Sequence, residues 1–227
     1  MVSTTMRVSE AVRGAAEVLV TLLASPLVRS RYNRWGADDA EVRASMPGDD
    51  LVPRPRLTST RAVTVDAPPE AVWPWLAQIG QGRGGLYSYD ALENLVGLDI
   101  HSADEILPEH QQLSAGDVVR LGREGSPCFR VVSVDAGRSL VMVAADPTTQ
   151  QAVQTPVLDG PGATWQWLLQ PLDDGRSTRV ISRQRNAHPR RQHLLWRLVE
   201  PVGFVMERRM LLGVQERAER SVAAHDD

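Results

Sequence analysis

Lysine is absent from this chain of 227 residues, so arginine supplies all 25 of its basic side chains. Cysteine occurs once, at Cys128, which excludes an intrachain disulfide and is consistent with a reducing compartment. The formal net charge is only −3, so the overall charge does not point to nucleic acid. We therefore expect a cytoplasmic protein that does not bind nucleic acid.

The chain also lacks an apolar run long enough to cross a membrane. Residues 18–28 are almost all apolar, but a membrane-spanning helix needs about 20 such residues in succession. Arginines stand on both sides of the run. We predict that residues 1–36 form a hydrophobic helix that docks on the rest of the protein or makes peripheral membrane contact. Membrane insertion and a signal peptide are the weaker alternatives.

The rest of the pattern predicts an α+β fold. Residues 37–56 contain several prolines and form a connector, and residues 57–223 form the main domain. Residues 148–161 fit either a long loop or a weak edge strand. Successive strands with segregated helices favour an antiparallel sheet. In chain order we predict a strand at 57–65, helices at 70–79 and 88–96, strands at 117–121, 128–134, 140–144, 163–172 and 177–186, and a helix at 193–223.

The C-terminal helix carries an apolar stripe that is expected to pack against the sheet. Its spacing of three and four residues is typical of one buried helix face. Pro201 lies inside the helix and should bend it. The side chains predicted to face inward, towards a cavity, are Leu198, Val202, Val205, Met206 and Met210.

The glycines of Gly80–Gly85 match the pattern GxGxxG, which on its own is a weak signal. Dinucleotide-binding sites require a strand directly before these glycines, whereas here a helix precedes them, so we expect no such cofactor. A tight turn between two helices is the preferred interpretation. The alternative is a site in which backbone N–H groups and Arg83 bind an anion or a ligand carbonyl.

Tyrosines and carboxylates cluster directly after this loop. Within the predicted helix, Tyr89 and Glu93 lie one turn apart, so a carboxylate beside tyrosines could act as an acid or base or bind a ligand hydroxyl. A solvated helix with half-buried tyrosines is the slightly preferred alternative. His188 and His193 are five residues apart and have no cysteine pair beside them, so we expect no metal site. The acid–base candidates are Tyr87, Tyr89, Asp90, Glu93 and His101.

Three predicted strands together provide large apolar side chains and arginines. Trp165 and Trp167 share one face of their strand, and Met142 aligns similarly on another strand. On the strand at 177–186, Arg183 and Arg185 could lie at the rim of the same interior. Apolar walls with a few polar groups are typical of a small-molecule cavity. A dry core with surface arginines fits the same pattern.

Four stretches of the chain match motifs of a known family. They are RWGADDAEV at 34–42, TRAVTVDAPPEAVWPWLAQIGQGRGGLYSYDALENLVG at 60–97, HSADEILPE at 101–109 and EPVGFVMERRML at 200–211. With these motifs the chain resembles, over about residues 34–220, the START-like (Bet v 1-like) superfamily, specifically its SRPBCC or polyketide cyclase/dehydrase-like proteins. The resemblance implies a helix-grip fold, in which a curved antiparallel sheet wraps a long C-terminal helix around a cavity, and it implies no cofactor. Residues 147–161 and the N-terminal helix depart from the family pattern.

Two functions from different classes follow from this resemblance. The first is binding of a hydrophobic or amphipathic small molecule in the cavity. The second is a cofactor-free cyclase, dehydratase or isomerase that acts on a polyketide-like or lipid-like substrate, with Arg183 or Arg185 polarising a carbonyl. The expected ligand-binding residues are Arg83, Tyr87, Tyr89, Glu93, Met142, Trp165, Trp167, Arg183, Arg185, Val202, Met206 and Met210.

Overall fold

The structure is a computed structural model that describes residues 4–155 and 160–226. Part of the ambiguous segment at 148–161 therefore lies outside the described residues. The helices are α1 (Thr4–Tyr32), α2 (Asp39–Arg43), α3 (Pro69–Ala77), α4 (Asp90–Leu95) and α5 (His193–Asp226). The strands are β1 (Leu57–Val65), β2 (Val118–Arg120), β3 (Cys128–Asp135), β4 (Ser139–Ala145), β5 (Gln154–Thr155), β6 (Gly160–Pro161), β7 (Ala163–Leu172) and β8 (Ser177–Asn186).

Six strands form one antiparallel sheet in the order β1-β8-β7-β4-β3-β2. The predicted hairpin joins β7 to β8 through Asp173–Gly175, where all three residues adopt a positive φ. Glycine and aspartate tolerate this left-handed conformation better than most residues, which explains the position of the turn. The sheet and the long C-terminal helix confirm the predicted α+β helix-grip fold.

The inner face of the sheet is apolar where α3 and the second half of α5 cover it. Trp165, Trp167 and Leu169 alternate along β7 and are at most 2% exposed. Leu211 and Val214 of α5 are fully buried in the same core. Because side chains alternate between the two faces of a strand, the alternate residues of β7 contribute one row of this wall.

The outer face of the sheet is covered by the connector, and Arg183 holds the two together. Its side chain is only 2% exposed. The guanidinium donates to the Asp49 carboxylate at 2.7 Å, to the carbonyl oxygen of Ala44 at 2.8 Å and to that of Glu41 at 2.7 Å. The Nε atom donates to Thr60 Oγ1 at 3.0 Å. A buried charge with this many partners fixes the connector on the sheet.

The prediction that Arg183 and Arg185 lie at the rim of the inner cavity is therefore wrong. Arg185 also faces the connector, where its Nε atom donates to the carbonyl oxygen of Val52 at 2.9 Å. Ser182 and Gln184, which alternate with these arginines along β8, face inward instead. The sequence shows that the arginines share one face, but the connector decides which face that is.

The N-terminal helix packs against α5 and α4. Gly14 lies against the ring of Tyr89, and a Cβ atom at this position would approach the ring to 3.0 Å. Tyr32 stacks on Phe204 with 5.4 Å between ring centroids. Among the described residues, none of the helices combines the length and the apolarity that crossing a bilayer requires.

Of the stripe predicted to face inward along α5, Met210 lies in the core, whereas Val205 is buried beside α1. Val205 and Met210 are 1% and 5% exposed, whereas Leu198 and Val202 are 57% and 37% exposed. Ser88, which lies just before α4, donates a hydrogen bond to the carbonyl oxygen of Met206. Leu198 and Val202 lie closer to the start of α5 than this contact and are exposed, so the prediction that they face inward is wrong.

Replacement of Arg183 by alanine should destabilise the protein by about 3 kcal/mol or more, because it leaves buried carbonyl and carboxylate acceptors without a donor. Urea denaturation would measure the loss. The exposed Arg176→Ala is the matched control and should change the free energy of unfolding by less than about 0.5 kcal/mol. A loss below about 1 kcal/mol for Arg183→Ala would contradict the role of this residue.

Candidate functional site

A cavity of about 100 Å³ lies between the first half of α5 and the inner faces of β1 and β8. Leu57, Trp196, Val199 and Gly203 form its apolar part. Its polar part consists of Asn33, Ser59, Arg61, Gln184, Asn186 and Glu200.

A buried ionic network forms the inner end of this cavity. Arg61 and Glu207 make an ion pair and are each 3% exposed. Ser182 donates to the Glu207 carboxylate at 2.5 Å, and Gln184 donates to its other oxygen at 3.2 Å. The indole of Trp165 donates to Ser182 at 3.0 Å. Because the charges have several partners, the network can exist in a site that excludes water.

A second ion pair joins the end of α1 to α5 at the other end of the cavity. Arg29 donates to both carboxylate oxygens of Glu200, at 2.9 and 2.8 Å. Asn33 donates to the same carboxylate at 3.0 Å. The hydrogen bond with Glu200 is the largest of the effects that raise the pKa of Arg29. The two ionic side chains of the cavity wall, Arg61 and Glu200, thus each pair with a residue outside the wall.

Two histidines support the apolar wall. His188 is buried and stacks on Trp196, with 5.7 Å between ring centroids. Its Nε2 atom lies 3.1 Å from Nδ1 of His193. Burial lowers the pKa of His188, and the neighbouring His193 lowers it further. A neutral His188 can therefore pack on the indole that lines the cavity.

The sequence interpretation did not identify the residues of this cavity. The sequence signal that could have identified them is a charged residue on the apolar face of a strand or helix. Arg61 shares the inner face of β1 with Val63 and Val65, and Glu207 lies within the apolar stripe of α5. An arginine and a glutamate at core positions of different elements indicate a buried pair.

Some predicted acid–base residues line a separate groove around the second half of α5. This groove includes Tyr87, Asp90 and His101. The carboxylate of Asp90 accepts hydrogen bonds from the backbone N–H of Ser102 at 2.7 Å and from its hydroxyl at 2.6 Å. His101 is exposed and pairs with Asp99 at 3.2 Å. Asp90 thus has a structural role in shaping this loop.

The tyrosines and the glycine loop also make structural contacts. The Tyr87 hydroxyl donates to the carbonyl oxygen of Trp75 at 3.0 Å, and burial strongly raises the pKa of Tyr87. Arg83 donates to the carbonyl oxygens of Ala77 and His110, at 2.8 and 3.0 Å. Its guanidinium therefore stabilises the loop that contains it.

Among the carboxyl groups of this region, that of Glu93 has the largest change in pKa. Its side chain is 4% exposed, and its Oε2 atom has no hydrogen-bond partner among the described residues. Burial, followed by the charge of Asp90, raises the pKa of Glu93 to about 8. Glu93 is therefore largely protonated near neutral pH.

The remaining predicted ligand-binding residues lie outside the cavity wall. Trp165 and Trp167 pack on each other with 5.3 Å between ring centroids, and Met142 is fully buried beside them in the core. Met210 belongs to the same core, whereas Met206 is partly exposed. Whether any of these side chains contacts a ligand stays a prediction.

No family model matches the chain, and no curated protein matches it. Solved structures with a similar fold include a protein from Arthrobacter aurescens, with 12% identity over 79% of this chain and 92% of that chain, at a TM-score of 0.42. The Aha1 dimer from Colwellia psychrerythraea has 13% identity over 72% and 96%, at 0.41. A polyketide-cyclase-like protein from Corynebacterium glutamicum has 14% identity over 74% and 94%, at 0.40. The helix-grip fold is established by the strand order and C-terminal helix of this chain itself.

Glu93→Gln should make the stability of the protein less dependent on pH. In the wild type, the pKa of Glu93 is raised from 4.5 to about 8, so its proton stabilises the folded state. This contribution to the free energy of unfolding is fully present below about pH 4.5 and is lost as the pH rises to about 8. The variant should therefore gain stability over the wild type by up to about 1.4 kcal/mol per pH unit in this range. Urea denaturation at several pH values would measure the gain, with the exposed Glu105→Gln as control. An equal pH dependence in wild type and Glu93→Gln would contradict a protonated Glu93.

Proposed function

We propose that this protein binds a small amphipathic molecule, with the polar end of the ligand in the cavity beneath the first half of α5. The proposal rests on the composition of the cavity wall, which has a polar part and an apolar part. Arg61, Gln184 and Asn186 provide hydrogen-bonding groups, while Trp196 and Val199 provide an apolar surface. Sites of this composition orient a ligand through a few polar contacts and gain affinity from apolar burial.

The polar end of the ligand should be neutral. Arg61 is paired with Glu207, and Glu200 is paired with Arg29. A ligand charge would be desolvated without a free partner, which costs several kcal/mol. A hydroxyl or amide group can instead exchange hydrogen bonds with the amide side chains of Gln184 and Asn186.

The size of the cavity indicates that only part of the ligand is enclosed. Its volume of about 100 Å³ is below the roughly 300–1,000 Å³ of pockets that enclose a drug-sized ligand. Val199, at its edge, is 44% exposed, and the adjacent Leu195 and Leu198 are more exposed. These side chains offer an apolar path for the remainder of the ligand.

Cofactor-free catalysis is the alternative, and Glu93 is the residue that favours it. A protonated carboxyl with a raised pKa is suited to general acid catalysis near neutral pH. However, Glu93 does not line the groove that contains Asp90 and His101, and the hydroxyl of Tyr87 is already engaged. Ligand binding is therefore the better supported function.

A matched set of ten-carbon probes tests the charge preference. Decanol and decanamide are neutral, whereas decanoate and decylamine carry opposite charges. Isothermal titration calorimetry should detect binding of the neutral probes at least about tenfold more tightly than either charged probe, because the charged ends lack a free counter-ion in the cavity. Equal or tighter binding of a charged probe would contradict the proposed neutral head group.

Substitutions at Gly203 test the location of the site. A Cβ atom added there meets open space, and the residue lies in the middle of a helix. Gly203→Ala should stabilise the protein by about 0.5–1 kcal/mol through helix propensity and retain binding. Gly203→Leu should fill the cavity and weaken the binding of decanamide at least about tenfold while the fold persists.

Thermal unfolding of both variants separates loss of binding from loss of structure. The cavity assignment would fail if folded Gly203→Leu bound decanamide as tightly as Gly203→Ala does.

A further inference from the structure

The N-terminal helix exposes a row of apolar side chains to solvent. Leu23 and Leu27 are 76% and 88% exposed, and Leu19 is 59% exposed. With Val12 these residues recur at intervals of seven or four along α1, so they share one side of the helix. Gly14 and Tyr32, which α1 buries, lie on the opposite side. Among the described residues, helix α1 therefore has one side that packs on the protein and an apolar side that is largely exposed to solvent.

The first half of α5 exposes a second apolar row. Leu194, Leu195 and Leu198 are 72%, 61% and 57% exposed. A groove between α1 and α5 is lined in part by Glu17, Val20, Val205 and Arg208. We refer to the exposed apolar residues Val12, Leu19, Val20, Leu23 and Leu27 of α1 and Leu194, Leu195, Leu198 and Val202 of α5 as the two-helix surface.

The charges that border the two-helix surface at the end of α1 and the start of α5 are mainly positive, whereas Glu10 and Glu17 lie beside its other end. The sequence contains no aspartate or glutamate between Glu17 and Asp38, and none between Asp174 and Glu200. Exposed arginines border the apolar rows at the end of α1 and the start of α5. They are Arg31, Arg190, Arg191 and Arg197.

We infer that the two-helix surface docks on an anionic lipid bilayer. Amphipathic helices bind the membrane interface by burying their apolar side chains among the acyl chains, while basic residues contact anionic head groups. Each arginine near such a surface strengthens binding about fivefold. The exposed leucines and arginines of this protein provide both contributions within two adjacent helices.

The charge pattern favours a bilayer over a second copy of this chain. In a symmetric dimer the same patch contacts itself, so the four arginines of one copy would lie near those of the other. Like charges at an interface oppose association, whereas anionic lipids neutralise them. This inference does not depend on the ligand proposed for the cavity.

Sedimentation with lipid vesicles tests the inference on the full-length protein. We expect the protein to pellet with vesicles that contain phosphatidylglycerol and to remain in solution with pure phosphatidylcholine. Added salt should weaken binding because it screens the arginines. Replacing Arg190, Arg191 and Arg197 by glutamine should lower the partition coefficient on the order of a hundredfold.

Leucine variants test the apolar contribution separately. Leu23→Ser with Leu27→Ser, and Leu194→Ser with Leu198→Ser, should each lower the partition coefficient at least about tenfold. The matched controls are Leu95→Ser with Val96→Ser, which are 79% and 71% exposed at the C-terminal end of α4, and Arg138→Gln. These controls should bind as the wild type does, and circular dichroism would verify that every variant is folded.

Three outcomes would overturn the inference. The first is a lack of binding to phosphatidylglycerol vesicles. The second is binding that the arginine and leucine variants leave unchanged. The third is a concentration-dependent dimer in analytical ultracentrifugation that the leucine variants dissolve and that phosphatidylglycerol vesicles do not compete with.

Discussion

The buried ion pair between Arg61 and Glu207 divides the interior of this protein into two parts. Beyond Glu207 along α5, Leu211, Val214 and Ala218 pack on the sheet in an apolar core. Before Glu207, the helix faces a polar cavity and exposes leucines on its other side. Two charges are costly to remove from water, so the pair requires the hydrogen bonds that Ser182 and Gln184 supply. The sheet, the helix and the cavity depend on this network being complete.

Much of the fold could be predicted because it is encoded in local patterns. Alternation identified β7 and β8, and the Asp-Asp-Gly turn identified the hairpin between them. The same alternation could not show which face of β8 is the inner one. Alternation alone allows Arg183 to lie on either face of the sheet. Its partners Asp49 and Ala44, which fix the face, are more than a hundred residues away in sequence. Contacts between residues far apart in sequence therefore determine which face of β8 is the inner one, and local periodicity does not show it.

The candidate site was harder to predict for the same reason. Arg61 and Glu207 are 146 residues apart, and their contact depends on the register of β1 with β8 and on the rotation of α5. Sequence reasoning instead selected Tyr87, Asp90 and Glu93, because residues close in sequence make clusters that are easy to see. The structure gives the first two residues structural hydrogen bonds and leaves Glu93 buried with a raised pKa.

The two proposals concern opposite sides of the same helical segment. Trp196, Val199 and Gly203 line the cavity, while Leu195 and Leu198 belong to the surface proposed to meet the bilayer. A ligand with its polar end in the cavity would extend its apolar part towards these leucines, and a docked bilayer would remove that part from water. Ligand binding and membrane docking would then strengthen each other by the same factor, because coupling between two binding events is reciprocal. A protein with this arrangement could take up an amphipathic molecule at a membrane surface and bind it less tightly after leaving that surface.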